Sequence, residues 1–162
     1  MAISQLGRPE GALLLRLKAL LGDNEPQVLG QCFLSLQSLT PKEAVPFLGK
    51  FLEATDDTVQ LEAAGALAQS REPEAMKLLK VFWKGRLSQE LRRAFVMALA
   101  ASPLAEAGEL LLLILTEESD ELAATALRAL AASRFREDLR PRIANLIEQK
   151  QDLNLKRIFE DV

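Results

Sequence analysis

The chain contains neither histidine nor tyrosine, and its 162 residues include a single cysteine, Cys32. Without histidine there is no imidazole general acid or base, no Ser-His or Cys-His nucleophile pair, no HExxH zinc site and none of the usual histidine-bound metals. Carboxylates, lysine, arginine, hydroxyls and one thiol remain, and they imply no cofactor and no metal. A lone cysteine rules out an intrachain disulfide and fits a reducing, cytoplasmic setting. Neither charge sign is in strong excess, with 20 basic against 23 acidic residues. A surface built to follow nucleic acid is normally strongly basic, so nucleic acid loses weight as a partner. Long apolar runs are also missing. Residues 12–21 come nearest at the N-terminal side, but Arg16 and Lys18 interrupt them. That stretch is a poor secretory signal and too short to span a bilayer, so no membrane role is expected.

What the chain has is repetition. The segments that begin at Val28, Val59, Leu91, Leu122 and Leu153 follow one another at 31, 32, 31 and 31 residues. A fixed period of roughly 20–50 residues is the mark of a stacked repeat architecture. In each segment apolar residues recur at helical spacing, as in Val59, Ala63, Ala66 and Leu67, and small residues such as Ala64, Ala98, Ala126 and Ala129 allow close helix approach. Asp57, Ser88 and Ser119 are expected to cap these first helices. A second helix follows each after a short turn. Thr40-Pro41-Lys42-Glu43 reads as a capping box with proline at the first helical position, and Glu72-Pro73 and Ser102-Pro103 repeat the proline placement. The second-helix core columns are Phe47/Leu78/Leu110, Leu48/Leu79/Leu111 and Leu52/Trp83/Leu115/Leu146. Pro141 falls in the first of these columns, so the fourth second helix is expected to start late, near Asp138, with Pro141 in its first turn.

The expected organisation is one repeat domain over residues 1–162. It has a half repeat at 10–22, full repeats at 24–55, 56–86, 87–117 and 118–150, and a half repeat at 151–162. The last half repeat carries Leu153, Leu155, Ile158 and Phe159 with no second helix to cover them, which suggests a fragment of a longer protein or an end that meets something.

The first-helix pattern Asp-x-x-Val-x-x-x-Ala-Ala-x-Ala-Leu, carried here by Asp56, Val59, Ala63, Ala64, Ala66 and Leu67, resembles the short HEAT-like repeats, and those of the bilin-lyase type best. The arginine that often follows the valine in that family is kept only at Arg92. The resemblance implies an all-α, right-handed α-solenoid of antiparallel helix pairs, with second helices on the concave side. It carries over no catalytic residue.

Several candidate sites can be weighed. Leu110 to Leu115 is apolar on every side of a helix. One reading is a helix packed on several sides; the other is a concave apolar patch of Leu112, Ile143 and Ile147 that receives a partner. Lys77, Lys80 and Lys84 lie at i, i+3 and i+7, with Arg140 in the Lys77 column. They form either a solvated face or a basic rung for an acidic peptide or phosphates. Trp83 invites comparison with HEAT-like alkylpurine DNA glycosylases but stands in a leucine column, and Cys32 stands in a core column. Glu117, Glu118, Asp120 and Glu121 gather at one turn, where helix-start acidity explains them.

The expected function is a non-catalytic scaffold that binds a protein or peptide on its concave face. The alternative is a HEAT-like enzyme acting on a modified nucleobase or a bilin. It would need an inward carboxylate with an aromatic partner, and only Glu53 and Glu109 offer themselves. A designed consensus array would have near-identical units; core positions that vary as Cys32, Ala63, Phe95 and Ala126 do point to a natural sequence.

Overall fold

A computed structural model describes residues 8–161; the expected domain limits at residues 1–7 and 162 lie outside the described residues. Ten α-helices and no strand occur among the described residues: α1 Arg8–Leu21, α2 Pro26–Leu39, α3 Pro41–Gly49, α4 Asp57–Ala68, α5 Pro73–Trp83, α6 Gln89–Leu99, α7 Ala105–Glu117, α8 Asp120–Ala132, α9 Arg136–Lys150 and α10 Leu153–Asp161. A short 3-10 turn, Lys50–Glu53, extends α3. The architecture is that of an all-α solenoid. The chain divides into two compact units, Met1–Arg86 and Leu87–Val162.

Each unit has two layers. In the first, α2 and α4 pack side by side, as do α3 and α5, and α1 lies on α2. In the second, α6, α8 and α10 form one layer, while α7 packs on α9. The repeat period places the same column at the same depth. Leu36, Leu67, Leu99 and Leu130 are fully buried, and so are Leu48, Leu79 and Leu111. Trp83 and Cys32 are buried as well, which makes them core.

Local chemistry sets the helix ends, and it departs from the sequence reading in several places. Ser88 caps α6 by accepting the Leu91 N–H at 3.2 Å. The cap of α4 is Asp56 and not Asp57: its carboxylate accepts the Thr58 N–H at 2.8 Å and the Thr58 hydroxyl. Ser119 holds the cap position of α8 without a side-chain bond. Thr40 does not form a capping box. It is the whole turn between α2 and α3, and its hydroxyl donates back to the Leu36 carbonyl at 3.3 Å. Pro103 lies ahead of α7, which starts at Ala105 after Leu104.

The reason for that last shift recurs. Ser70, Ser102 and Ser133 are buried between first and second helices. Each hydroxyl accepts the N–H two residues on, from Glu72, Leu104 and Phe135 respectively. These serine turns satisfy backbone groups that would otherwise be orphaned in the core.

Helix α9 starts at Arg136 and not near Asp138, so Pro141 sits inside it. The earlier start lets Leu139 and Phe135 close over α7 at Gly108, where an added Cβ would lie 2.9 Å from Leu139 Cδ1. Burial of Leu139 outweighs the bond that Pro141 cannot donate.

The two terminal helices differ. In α10, Leu155 and Ile158 are buried, Phe159 lies under Arg140, and Arg157 and Asp161 are exposed in columns that are apolar elsewhere. Helix α10 therefore carries charged residues on a face that is apolar in the other first helices, and only Leu153 of the four apolar residues stays exposed. Among the described residues, α1 carries an exposed apolar face of Leu13, Leu14, Leu17, Leu20 and Leu21.

Candidate functional site

In the first unit, α3 and α5 meet where Gly49 faces Leu78; a Cβ at position 49 would lie 2.9 Å from Leu78 Cδ1. The bare backbone at Gly49 lets the Leu78 side chain lie this close. Toward their N-terminal halves a groove of about 670 Å³ opens, lined by Lys42, Val45, Pro46, Glu72, Glu74, Lys77 and Leu78. Val45 is buried and Leu78 half-buried, so the floor is apolar, while Lys42, Lys77 and Glu74 are exposed at the edges. Lys77 Nζ stands 3.4 Å from Glu74 Oε1. Glu74 is held below the ordinary glutamate range by its own backbone N–H and then by Lys77.

Of the basic residues singled out in the sequence, Lys77 lines this groove. Lys80 and Lys84 continue along the exposed side of α5 beside Val81, which is also exposed. Arg140 lies on α9 of the second unit, its guanidinium 5.1 Å from the centre of the Phe159 ring.

The apolar patch expected at Leu112, Ile143 and Ile147 does not form an exposed surface, because the three are 4, 3 and 3% exposed. Leu112 and Ile143 line different cavities. Leu112 lines a groove of about 370 Å³ between α7 and α9, with Leu113, Thr116, Asn145 and Leu146. Ile143 faces Leu127, Ala131 and Phe159 across α8 and α10. On the wall of the α7–α9 groove, Arg142 grips Glu109 through two bonds of 2.5 and 2.9 Å, and this pairing raises the Arg142 pKa. One inward acid of the enzyme reading is thus tied to a guanidinium. The other, Glu53, is exposed on the 3-10 turn.

Burial pushes the Cys32 thiol up, the opposite of what a nucleophilic thiolate needs. The acidic turn is held by ion pairs across the layer of first helices, Arg92 to Glu118 at 3.2 Å and Arg93 to Glu121 at 2.7 Å. Among the described residues no group of three or more possible metal ligands gathers, and no helix is long and apolar enough to cross a membrane.

The α3–α5 groove escaped the sequence reading, apart from Lys77, because its floor comes from core columns. Its one legible signal was Gly49, a glycine in a helix column otherwise filled by larger residues.

Residues 13–100, more than half the chain, match the family described as HEAT repeats. No curated protein and no solved structure matches the chain significantly.

Proposed function

Because the chain belongs to the HEAT-repeat family, a helical repeat scaffold, we propose that it is a non-catalytic binding module whose α3–α5 groove takes a peptide segment of a partner protein. The observation that carries this reading is the groove itself: an apolar floor of Val45, Pro46 and Leu78 between charged edges. An apolar centre with a polar rim is how protein interfaces are commonly organised. A surface preformed by packed helices also loses little entropy on binding. Lys42, Lys80 and Lys84 make no ion pair among the described residues, and they favour a peptide that carries carboxylates beside an apolar side chain. The lack of histidine and the buried, poorly ionised thiol support a non-catalytic role.

Selection from a displayed random-peptide library tests this, with the double variant Lys77→Glu/Lys80→Glu as the parallel target. Peptides with acidic residues next to an apolar anchor should be enriched on the wild type and lost on the variant. No enrichment, or enrichment indifferent to the variant, would refute the reading.

A further inference from the structure

The solvent-facing stripe of α5 has a charge order. Glu74, Lys77, Leu78 and Val81 follow one another at i, i+3, i+4 and i+7, one face of a helix, and Lys80 and Lys84 flank it. Val81 is 71% exposed, Leu78 is half-buried, and Glu74, Lys77, Lys80 and Lys84 are all exposed. Glu72 stands just ahead of the helix and Arg86 just beyond Lys84. Carboxylates therefore lie at the N-terminal end and cations toward the C-terminal end, with an apolar seam between.

The neighbouring α3 repeats this order. Glu43 stands one period before Glu74, Lys50 one period before Val81, and both are exposed. Two exposed residues run against it, Lys42 at one end and Glu53 at the other. The N-terminal end of the helix pair thus holds Glu43, Glu72 and Glu74 against Lys42. The C-terminal end holds Lys50, Lys80, Lys84 and Arg86 against Glu53. Arg71 lines a separate hollow at the turns, with Gln37, Ser38 and Gln69.

This order selects a partner. A phosphate backbone or an anionic membrane carries one sign throughout, and the carboxylate end would repel it. A peptide can carry both signs. An extended peptide would lay its main-chain N–H and C=O groups over Val45, Pro46, Leu78 and Val81, whose side chains offer them no bond. A helix makes those bonds internally. Its same-face side chains step by about 4.5–6 Å along the axis, against about 6.6 Å for alternate residues of a strand, and Leu78 and Val81 are one such helical step apart. Direction follows from the macrodipole, which favours acidic residues in the first turn of a helix and basic residues in the last. Laid antiparallel to α5, the partner brings its first turn to Lys80 and Lys84 and its last turn to Glu74. Laid parallel, it would need both charges at the ends its own dipole disfavours.

We propose that the segment held by the α3–α5 groove is an amphipathic helix antiparallel to α5, acidic in its first turn, apolar in its middle and basic in its last turn. This rests on the peptide-binding reading above. Leu78 and Val81 take its apolar side chains, Lys80 and Lys84 its carboxylates, and Glu43 and Glu74 its cation.

The test is selection on the full chain from two displayed libraries of segments about four helical turns long, one on a helix-stabilised scaffold and one with a fixed central proline. The helical library should yield binders with acids in the first turn and a base in the last. By fluorescence anisotropy, a central proline should weaken each of them at least about tenfold. Disulfide cross-linking reads the direction. A binder with an added N-terminal cysteine should link to Arg86→Cys and not to Pro73→Cys, and one with a C-terminal cysteine should do the converse. The chain's own Cys32 is buried, and circular dichroism checks that each variant keeps its helix content. Binders that tolerate proline, that come only from the proline library, that carry the opposite charge order, or that cross-link at the opposite ends would overturn the proposal and leave the groove a peptide site. No binder from either library would overturn both.

Discussion

The carboxyl group of Glu62 on α4 lies directly over Gly30 of α2, so close that a Cβ at position 30 would sit 1.9 Å from Glu62 Oε2. Two first helices thus touch through a bare backbone and a half-buried acid. Glu62 makes no ion pair among the described residues, and burial raises its pKa above the ordinary 4.5. A carboxyl whose pKa is higher in the folded chain adds stability below the unfolded value and loses it as pH rises through the folded value. Glu62→Gln should therefore be the more stable protein at pH 7, and its advantage should shrink as pH falls toward 4.5 and below. Alanine at position 30 would push the flexible carboxyl out into water and is favoured over glycine in a helix by about 0.8–1 kcal/mol. On that background the pH-dependent difference between Glu and Gln should vanish. Urea titrations of the four proteins at pH 7 and pH 4 provide the check; a Glu–Gln difference that does not move with pH would show that burial of the charge is not the cause.

Leu67, Leu99 and Leu130 close the same motif at the same depth and are fully buried. Replacing any one with alanine should cost about 2–5 kcal/mol, the transfer loss plus the cavity. Equilibrium unfolding measures this directly, and losses under about 0.5 kcal/mol at all three would contradict the core assignment.

The cap positions Ser88 and Ser119 look alike in sequence and differ in structure. The Ser88 hydroxyl accepts the Leu91 N–H, whereas Ser119 makes no side-chain cap bond. Ser88→Ala should destabilise by about 1 kcal/mol. Ser119→Ala should be close to neutral by the same thermal or chemical melt, and equal losses at the two sites would mean that the hydroxyl bond is not what matters.

Pro141 sits inside α9 as its sixth residue, where it donates no bond to the Glu137 carbonyl and crowds that turn. An interior proline costs up to about 3 kcal/mol, so Pro141→Ala should raise stability by some part of that amount. A fall in the unfolding midpoint would show that the ring makes packing contacts worth more than the missing bond.

The period and its core columns were legible in the sequence because every buried face recurs at one spacing; Cys32 and Trp83 were placed as core by column alone. Three things were not legible. Ser70, Ser102 and Ser133 share a turn position, but a buried serine looks like any loop serine until the bond to the N–H two residues on is seen. Leu17 falls in the column of Leu48, so periodicity marks it as core. Whether a helix covers it depends on which neighbours are present, which no local pattern records. The α3–α5 groove opens beside the Gly49–Leu78 contact, and apart from Gly49 its lining comes from core columns and charged helix positions that read the same where no groove forms.

Leu112 and Leu113 are adjacent in the leucine run and separate its two readings. Lysine occupies the Leu112 column at Lys18 and Lys80, which suggested a surface. In α7, however, Leu112 shares a groove with Asn145 and Leu146 of α9, and it is 4% exposed against 44% for Leu113. The run is thus apolar because α7 is packed on several sides, and only Leu113 of the two meets solvent. Leu112→Asp would bury an unpaired carboxylate, and should cost about 3 kcal/mol or more. Leu113→Asp should lie within about 0.5 kcal/mol of the wild type, as surface changes usually do. Denaturant unfolding of the two variants decides between the readings: comparable small losses at both positions would return Leu112 to the surface.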